Sequence, residues 1–202
     1  TPSHEIYSID ECFLDLSGMR VDLREYGLKM RRQVGRWTGI PLSVGIAPTK
    51  ALAKVANRIA KKYPELQGVH VIDSEEKRVK ALKWLPIEDV WGIGRRYARK
   101  LRAMGVNTAY DFTLLPESLV RSVMTVVGGN LQRDLLGIPT LEMEIAEKKQ
   151  SIATTRSFDR DYNRLEELHE RIATFVMNSA EKLRRVGHHN AQDLRSLTGL
   201  LE

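Results

Sequence analysis

The sequence has 202 residues, of which 42% are hydrophobic and 29% are charged, the profile of an ordinary globular protein with one or two modest cores. Its 32 basic and 26 acidic residues leave a net charge of +6, which slightly favours a polyanionic partner. A single cysteine, the lack of an apolar run of roughly 20 residues and the lack of a signal peptide argue against a disulfide-rich secreted domain or a membrane protein. We therefore expect a cytoplasmic protein, and the first residue, Thr1, indicates a piece cut from a longer one.

Strand and helix patterns alternate from residue 5 to about residue 73. Short apolar segments predict strands at residues 6–9, 12–16, 41–47 and 69–72. A basic segment predicts a helix at residues 24–37, and Pro48 and Thr49 open a second helix that runs to Lys62 with one apolar face. This alternation predicts a layer of helices on a sheet.

The rest of the chain divides into a helical segment and a further unit. Residues 74–138 show helical patterns broken by short turns, and residues 139–149 form a charged, unpatterned linker. Beyond the linker we expect a strand at residues 151–158 and a long amphipathic helix at residues 165–186. The tail, residues 187–202, is polar and too short to complete a sheet.

Two adjacent acidic residues, Asp10 and Glu11, interrupt the first apolar segments. Side chains on a straight strand alternate between its faces, so a tight turn between two short strands is needed for the carboxylates to converge. Unit charges about 4 Å apart repel by about 4 kcal/mol at an effective dielectric near 20, and a bound divalent cation would turn that repulsion into affinity. A polar hairpin turn is the simpler explanation of the pair taken alone.

The helix after Thr49 carries a basic stripe opposite its apolar face, formed by Lys50, Lys54, Arg58 and Lys61. Lys50 and Lys54 fall in its first turns, where backbone N–H groups and the positive end of the helix dipole attract anions. A nucleoside triphosphate would suit this position. A solvated basic face is the alternative, and it is the commoner reason for such a stripe.

A Gly-Ile-Gly turn at residues 92–94 separates a short helix that ends near Trp91 from a second helix that runs to about Met104. Glycine lets the backbone come close to a ligand, and the N–H groups of such a turn bind phosphate without reading a base. This pattern resembles the helix-hairpin-helix motif of DNA repair and replication proteins, although a purely structural pair of helices is the alternative. The basic residues that crowd the second helix are Arg95, Arg96, Arg99, Lys100 and Arg102.

Three segments, YSIDECFLDLSG, SVGIAPTKALAKVANRIAKK and DVWGIGRRYARKLRAMGV, occur in the order in which they occur in Y-family (lesion-bypass) DNA polymerases. The last segment is most similar to the UmuC branch of that family. The resemblance covers residues 5–183, nearly the whole chain. It implies an error-prone, template-directed DNA polymerase that acts in DNA damage tolerance.

The resemblance also implies a role for each matching residue. Asp10 would bridge two catalytic Mg²⁺ ions, and Glu11 would bind the ion that activates the primer 3′-hydroxyl. Lys54 would contact the incoming triphosphate, with Lys50 a weaker candidate. The residues expected to contact DNA phosphates are Gly92, Ile93, Gly94 and Arg95 on the primer and Thr154, Thr155 and Arg156 on the template.

The family's first strand, which carries a further essential aspartate, and its fingers domain are missing from the sequence. The strands that complete its last domain are not recognisable in the tail. We therefore expect the truncated chain to be inactive by itself. The predicted fold class is α+β. The predicted domains are a partial palm with a mixed sheet and helices (1–73), an all-helical thumb with the helix-hairpin-helix (74–138), a linker (139–149) and the start of an α/β little finger (150–202).

The resemblance implies primer–template DNA and deoxynucleoside triphosphates as partners, and a location in the cytoplasm at the nucleoid. The UmuC-like branch also suggests a sliding clamp and a UmuD-like regulatory subunit. Two other functions stay open. A non-catalytic DNA-binding module would use the hairpin alone, and a base-excision glycosylase would carry such a hairpin but leave Asp10, Glu11 and Lys54 without a role.

Overall fold

The computed structural model describes residues 3–141, 143, 152–158, 160–162 and 164–186. The chain divides into two compact units, residues 1–145 (unit 1) and residues 146–202 (unit 2). The strands of the described residues are β1 (His4–Ile6), β2 (Cys12–Leu14), β3 (Val44–Ile46) and β4 (Val69–Val71). The helices are α1 (Leu23–Thr38), α2 (Lys50–Lys62), α3 (Glu75–Trp84), α4 (Arg95–Ala103), α5 (Ala109–Thr113), α6 (Glu117–Leu135) and α7 (Leu165–Val186), with single 3-10 turns at Pro64–Leu66 and Ile87–Asp89.

The described strands form two small sheets rather than one predicted layer. β1 and β2 pair antiparallel, and β3 and β4 pair parallel with α2 as the crossover between them. Each strand has three residues, so the predicted strand at residues 41–47 was too long. The carbonyls of Leu42 and Ser43 accept hydrogen bonds from the side chains of Arg31 (3.0 Å) and Asn57 (2.9 Å), and Pro41 has no N–H to donate to a neighbouring strand.

The packing of α2 on β3 depends on Gly45. A Cβ atom at this position would lie 2.2 Å from the carbonyl oxygen of Ala53 and 2.2 Å from the backbone nitrogen of Asn57, so only glycine permits this approach. The hydroxyl of Thr49 accepts a hydrogen bond from the N–H of Leu52 (3.3 Å) and thereby caps α2. The helix predicted to run to Lys62 is confirmed in its full extent.

Residues 74–138 are helical, as predicted. Ser74 caps α3, and Thr108 and Asp111 form a capping box at the start of α5. Thr125 adopts φ 63° and ψ −163°, which divides α6 into two helical stretches. One core joins α2 to these helices; its largest fully buried apolar residues are Leu52, Ile72, Leu82, Leu85, Ile87, Leu101, Phe112, Val120 and Leu135.

In unit 2, α7 has the predicted bounds, and its expected apolar face is half-buried. The residues of that face are Leu168, Ile172, Val176 and Leu183. The predicted strand at residues 151–158 is wrong, because residues 152–158 are not in a strand and the described part of unit 2 offers no strand as a partner. Residues 142 and 144–150 of the predicted linker, and the whole predicted tail, lie outside the described residues.

Candidate active site

Asp10 and Glu11 lie in the five-residue loop (7–11) that joins β1 to β2. The pairing of Ile6 with Cys12 closes the loop, and the N–H groups of Tyr7 (3.1 Å) and Ser8 (3.0 Å) both donate to the carbonyl of Glu11. The two acidic residues therefore sit in a tight turn rather than on a straight strand. This loop is named the acidic loop below.

The carboxylate of Asp10 is exposed and is oriented from within the acidic loop. The hydroxyl of Ser8 donates to Asp10 Oδ1 over 2.7 Å, and the N–H of Asp10 lies 3.4 Å from the same hydroxyl. This hydrogen bond restricts the rotamer of Asp10, while its carboxylate stays accessible to an incoming cation.

Glu11 forms an ion pair with Lys54 from the second turn of α2. Lys54 Nζ lies 2.7 Å from Glu11 Oε2, and the two side chains are 18% and 36% exposed. The lysine neutralises one of the two adjacent negative charges. The resulting geometry brings together the predicted metal ligand and the predicted triphosphate ligand.

Lys50 lies one turn before Lys54 on the same face of α2 but is held differently. Its ammonium is 2.5 Å from Glu5 Oε2, and the side chains of Lys50 and Glu5 are only 11% and 8% exposed. This pair joins β1 to the start of α2. Of the two predicted nucleotide-binding lysines, Lys54 is the more accessible one.

Three aromatic rings surround the ammonium of Lys54; Tyr7, Phe13 and Trp91 are named the aromatic triad below. Their ring centroids are 5.6–6.0 Å apart, in edge-on or tilted orientations. Lys54 Nζ lies 4.5 Å from the centroid of Tyr7 and 5.8 Å from those of Phe13 and Trp91. These distances are within the range of cation–π attraction.

The turn at residues 92–94 is built so that its last residue is open. Gly92 has φ +88°, and Ile93 is buried and donates its N–H to Val90 (3.0 Å). Gly94 is the N-cap of α4, no side chain caps this helix, and a Cβ at Gly94 would meet nothing within 4 Å. The first-turn N–H groups of α4 are therefore accessible to an anion, whereas Ile93 acts as the anchor of the turn.

The first helix of the predicted hairpin is shorter than expected. It is the single 3-10 turn Ile87–Asp89, which ends before Trp91. Arg102 of α4 donates to both carboxylate oxygens of Glu88 in that turn, which raises the pKa of Arg102. The exposed basic residues of α4 without an acidic partner in the described part of the chain are Arg95, Arg96, Arg99 and Lys100.

In unit 2, Thr154, Thr155 and Arg156 line a polar cavity of about 310 Å³ together with Asn178, Glu181 and Lys182 of α7. The hydroxyl of Ser179 donates to Thr154 Oγ1 (2.9 Å), and Lys182 Nζ donates to the carbonyl of Ala153 (3.0 Å). Two cationic side chains, Arg156 and Lys182, and one carboxylate, Glu181, therefore line this cavity.

Models of one protein family match three stretches of the chain in order. The impB/mucB/samB family model matches residues 1–58, its helix-hairpin-helix motif matches residues 80–106, and its C-terminal domain matches residues 149–195. These stretches contain the acidic loop, the Gly92–Gly94 turn and α7. The chain belongs to the impB/mucB/samB family.

Curated relatives agree with this assignment. Protein UmuC of Salmonella typhimurium is 41% identical over 192 residues, which are 93% of this chain and 45% of that protein. DNA polymerase IV of Pelotomaculum thermopropionicum is 30% identical over 168 residues, 80% of this chain and 40% of that protein. The chain thus spans just under half the length of the family members that it matches.

The fold is similar to part of a solved structure. The crystal structure of DinB from Sulfolobus solfataricus matches with a TM-score of 0.57 at 24% identity, over 71% of this chain and 42% of that one. No helix among the described residues is long and apolar enough to cross a membrane. The same residues contain no cluster of three or more histidine, cysteine, aspartate or glutamate side chains that could hold a metal ion.

The sequence patterns did not identify all residues of the site. The aromatic triad unites residues up to 84 positions apart, and neither Tyr7 nor Trp91 has a local pattern that would reveal the contact. Asp134, which holds the N-terminus of α2 from a distance of 83 residues, was equally hidden. A Trp directly before a Gly-Ile-Gly turn was the one available signal.

Proposed function

We propose that this chain is part of a translesion DNA polymerase and carries two of its metal-binding carboxylates, its triphosphate-binding lysine and its helix-hairpin-helix turn. The observation that carries the proposal is the ion pair between Lys54 and Glu11. The ammonium of this pair lies 5.8 Å from the ring centroid of Trp91, which directly precedes Gly92. A carboxylate pair, a lysine and a phosphate-binding turn in one unit are what phosphoryl transfer requires. Membership of the impB/mucB/samB family supports the same function.

Asp10 and Glu11 fit a divalent cation such as Mg²⁺. Both provide hard oxygen ligands from one accessible loop, and Mg²⁺ usually binds one or two carboxylates together with substrate phosphates. Two such ions, when bound, would stabilise the attacking and leaving oxygens of the transfer. In our proposal Glu11 is released from Lys54 as it takes up its metal-binding role, and the freed ammonium of Lys54 turns to a triphosphate oxygen.

The proposed DNA contacts are phosphate contacts. The open N-terminus of α4 at Gly94 and Arg95 would hold the primer backbone, with Gly92 and Ile93 shaping the turn. In unit 2, Thr154, Thr155 and Arg156 would hold the template backbone. Such contacts fix the position of DNA without reading its sequence, as a polymerase requires.

The wider assignments follow from family membership. We propose a palm (1–73), a thumb (74–138), a linker (139–149) and a little finger (150–202). Primer–template DNA and deoxynucleoside triphosphates are the proposed substrates, and a sliding clamp and a UmuD-like subunit the proposed partners. The cytoplasm, at the nucleoid, is the proposed location.

The test uses this sequence within a complete UmuC-like polymerase. Asp10→Ala and Glu11→Gln should abolish primer extension, because each removes a metal-binding carboxylate, while the affinity for primer–template DNA changes less than about twofold. Glu65→Gln, an exposed glutamate of the same unit, is the matched control and should extend primers normally. Normal extension by Asp10→Ala would refute the metal-site assignment.

A second candidate is a DNA-binding module without catalysis. The four exposed basic residues on α4 favour it, since they suffice for binding phosphates. It gives no reason for the pairing of Lys54 with Glu11. If all the acidic-loop variants bind DNA normally and the unmodified complete protein does not extend primers, this second function replaces the first.

A further inference from the structure

Trp91 joins the DNA-binding turn to the acidic loop. It directly precedes Gly92 in the chain, and its indole N–H donates to the hydroxyl of Tyr7 over 2.9 Å. The two rings also meet edge to face, with centroids 5.6 Å apart at 80°. A hydrogen bond combined with a ring contact fixes both the distance and the orientation of the partners.

Tyr7 in turn is fixed to Glu11. Its N–H donates to the carbonyl of Glu11 over 3.1 Å, so this hydrogen bond joins the two ends of the acidic loop. The ring of Tyr7 also lies under the ammonium of Lys54, 4.5 Å from its centroid. A displacement of Tyr7 would therefore reach both members of the ion pair between Lys54 and Glu11.

We propose that Trp91 is a positioning residue, which holds the ammonium of Lys54 between the Glu11 carboxylate and the aromatic triad. The turn that receives the DNA backbone and the lysine that receives the triphosphate are then oriented by one side chain. What Lys54 binds rests on the proposed function, but where Trp91 places Lys54 does not. Packing alone does not explain the arrangement, because Trp91 is only partly buried and its polar atom is satisfied by the acidic loop.

The chain contains a matched control, Trp84 at the end of α3. Its ring contacts that of Tyr63, with centroids 5.9 Å apart, and Lys62 Nζ lies 5.2 Å from it. Trp84 thus also contacts a tyrosine and a lysine, but neither of them belongs to the acidic loop. If the removal of any tryptophan had a general effect on the protein, either substitution would displace both Lys54 and Lys62. Positioning by Trp91 predicts that its removal displaces Lys54 alone.

The experiment is NMR spectroscopy of the 202-residue chain, with the lysine side-chain CH₂ groups next to each ammonium as the probe. Ring currents shift these signals for a lysine that is held over aromatic rings. Trp91→Ala should return the Lys54 signal towards the position of a free lysine and leave the Lys62 signal unchanged, and Trp84→Ala should do the reverse. Trp91→Phe, which keeps a ring but loses the N–H, should restore part of the Lys54 shift.

An unchanged Lys54 signal in folded Trp91→Ala, or equal movement of both lysines in both variants, overturns the proposal. In the complete polymerase, Trp91→Ala should raise the KM for deoxynucleoside triphosphate about tenfold, while primer–template affinity changes less than about twofold. An unchanged KM would refute the part of the proposal that concerns the triphosphate. If the unmodified polymerase is inactive, the proposed function fails. The Lys54 signal still decides whether Trp91 positions Lys54.

Discussion

The hydroxyl of Thr49, which caps α2, donates to the backbone carbonyl of Asp134, 2.8 Å away and 85 residues further along the chain. The buried carboxylate of Asp134 accepts from the N–H of Ala51 at the start of α2 (3.3 Å). Its other oxygen accepts from the N–H and the hydroxyl of Thr140, both at 2.9 Å. The end of α6 therefore fixes the start of the helix that presents Lys54.

Replacement of Asp134 should reduce stability strongly. Asp134→Ala leaves the buried N–H of Ala51 and the partly buried N–H of Thr140 without their acceptor, and we expect a loss of about 2–4 kcal/mol in the free energy of unfolding. Urea unfolding followed by circular dichroism measures it. Glu65→Ala, at an exposed position, should stay within about 0.5 kcal/mol, and an equally small effect of Asp134→Ala would show that its bonds contribute nothing net.

Elements with a long, regular pattern were predicted well from the sequence. The apolar periods of α2 and α7 determine both helices, because a helix makes its backbone hydrogen bonds within itself. A strand depends on a partner that the local sequence does not contain, which is why the strand assignment was wrong for residues 152–158. For the same reason the sequence indicated Asp10, Glu11 and Lys54 by type but not the ion pair between Glu11 and Lys54, because these two residues are 43 positions apart.

DNA binding by the 202-residue chain should depend on Arg95. This exposed residue begins α4 at the open N-terminus, so Arg95→Ala should weaken binding to primed DNA of any sequence. Each phosphate contact contributes a slope of about 0.9 to the dependence of log affinity on log salt concentration, and this variant should reduce the slope by about one. Fluorescence anisotropy at several salt concentrations measures both quantities. Lys62→Ala serves as the control and should leave the slope unchanged, because Lys62 lies at the end of α2 over the ring of Trp84. An equal loss of DNA affinity in both variants would indicate a diffuse charge effect and not a contact at the turn.

The pair formed by Glu88 and Arg102 should make the hairpin sensitive to acid. Hydrogen bonds from the Arg102 side chain hold the pKa of the Glu88 carboxyl below its ordinary value of 4.5. Because the folded-state pKa is the lower one, the pair stabilises the fold at pH values above 4.5, and the contribution is lost as the pH falls through the folded-state pKa.

Glu88→Gln should therefore lower the Tm at pH 7 by a small amount, and the Tm difference from the unmodified chain should shrink towards zero in more acidic buffers. Differential scanning calorimetry from pH 7 to about pH 3 tests this expectation. A Tm difference that stays constant or grows as the pH falls would mean that the ionised form of Glu88 is not the one that Arg102 stabilises.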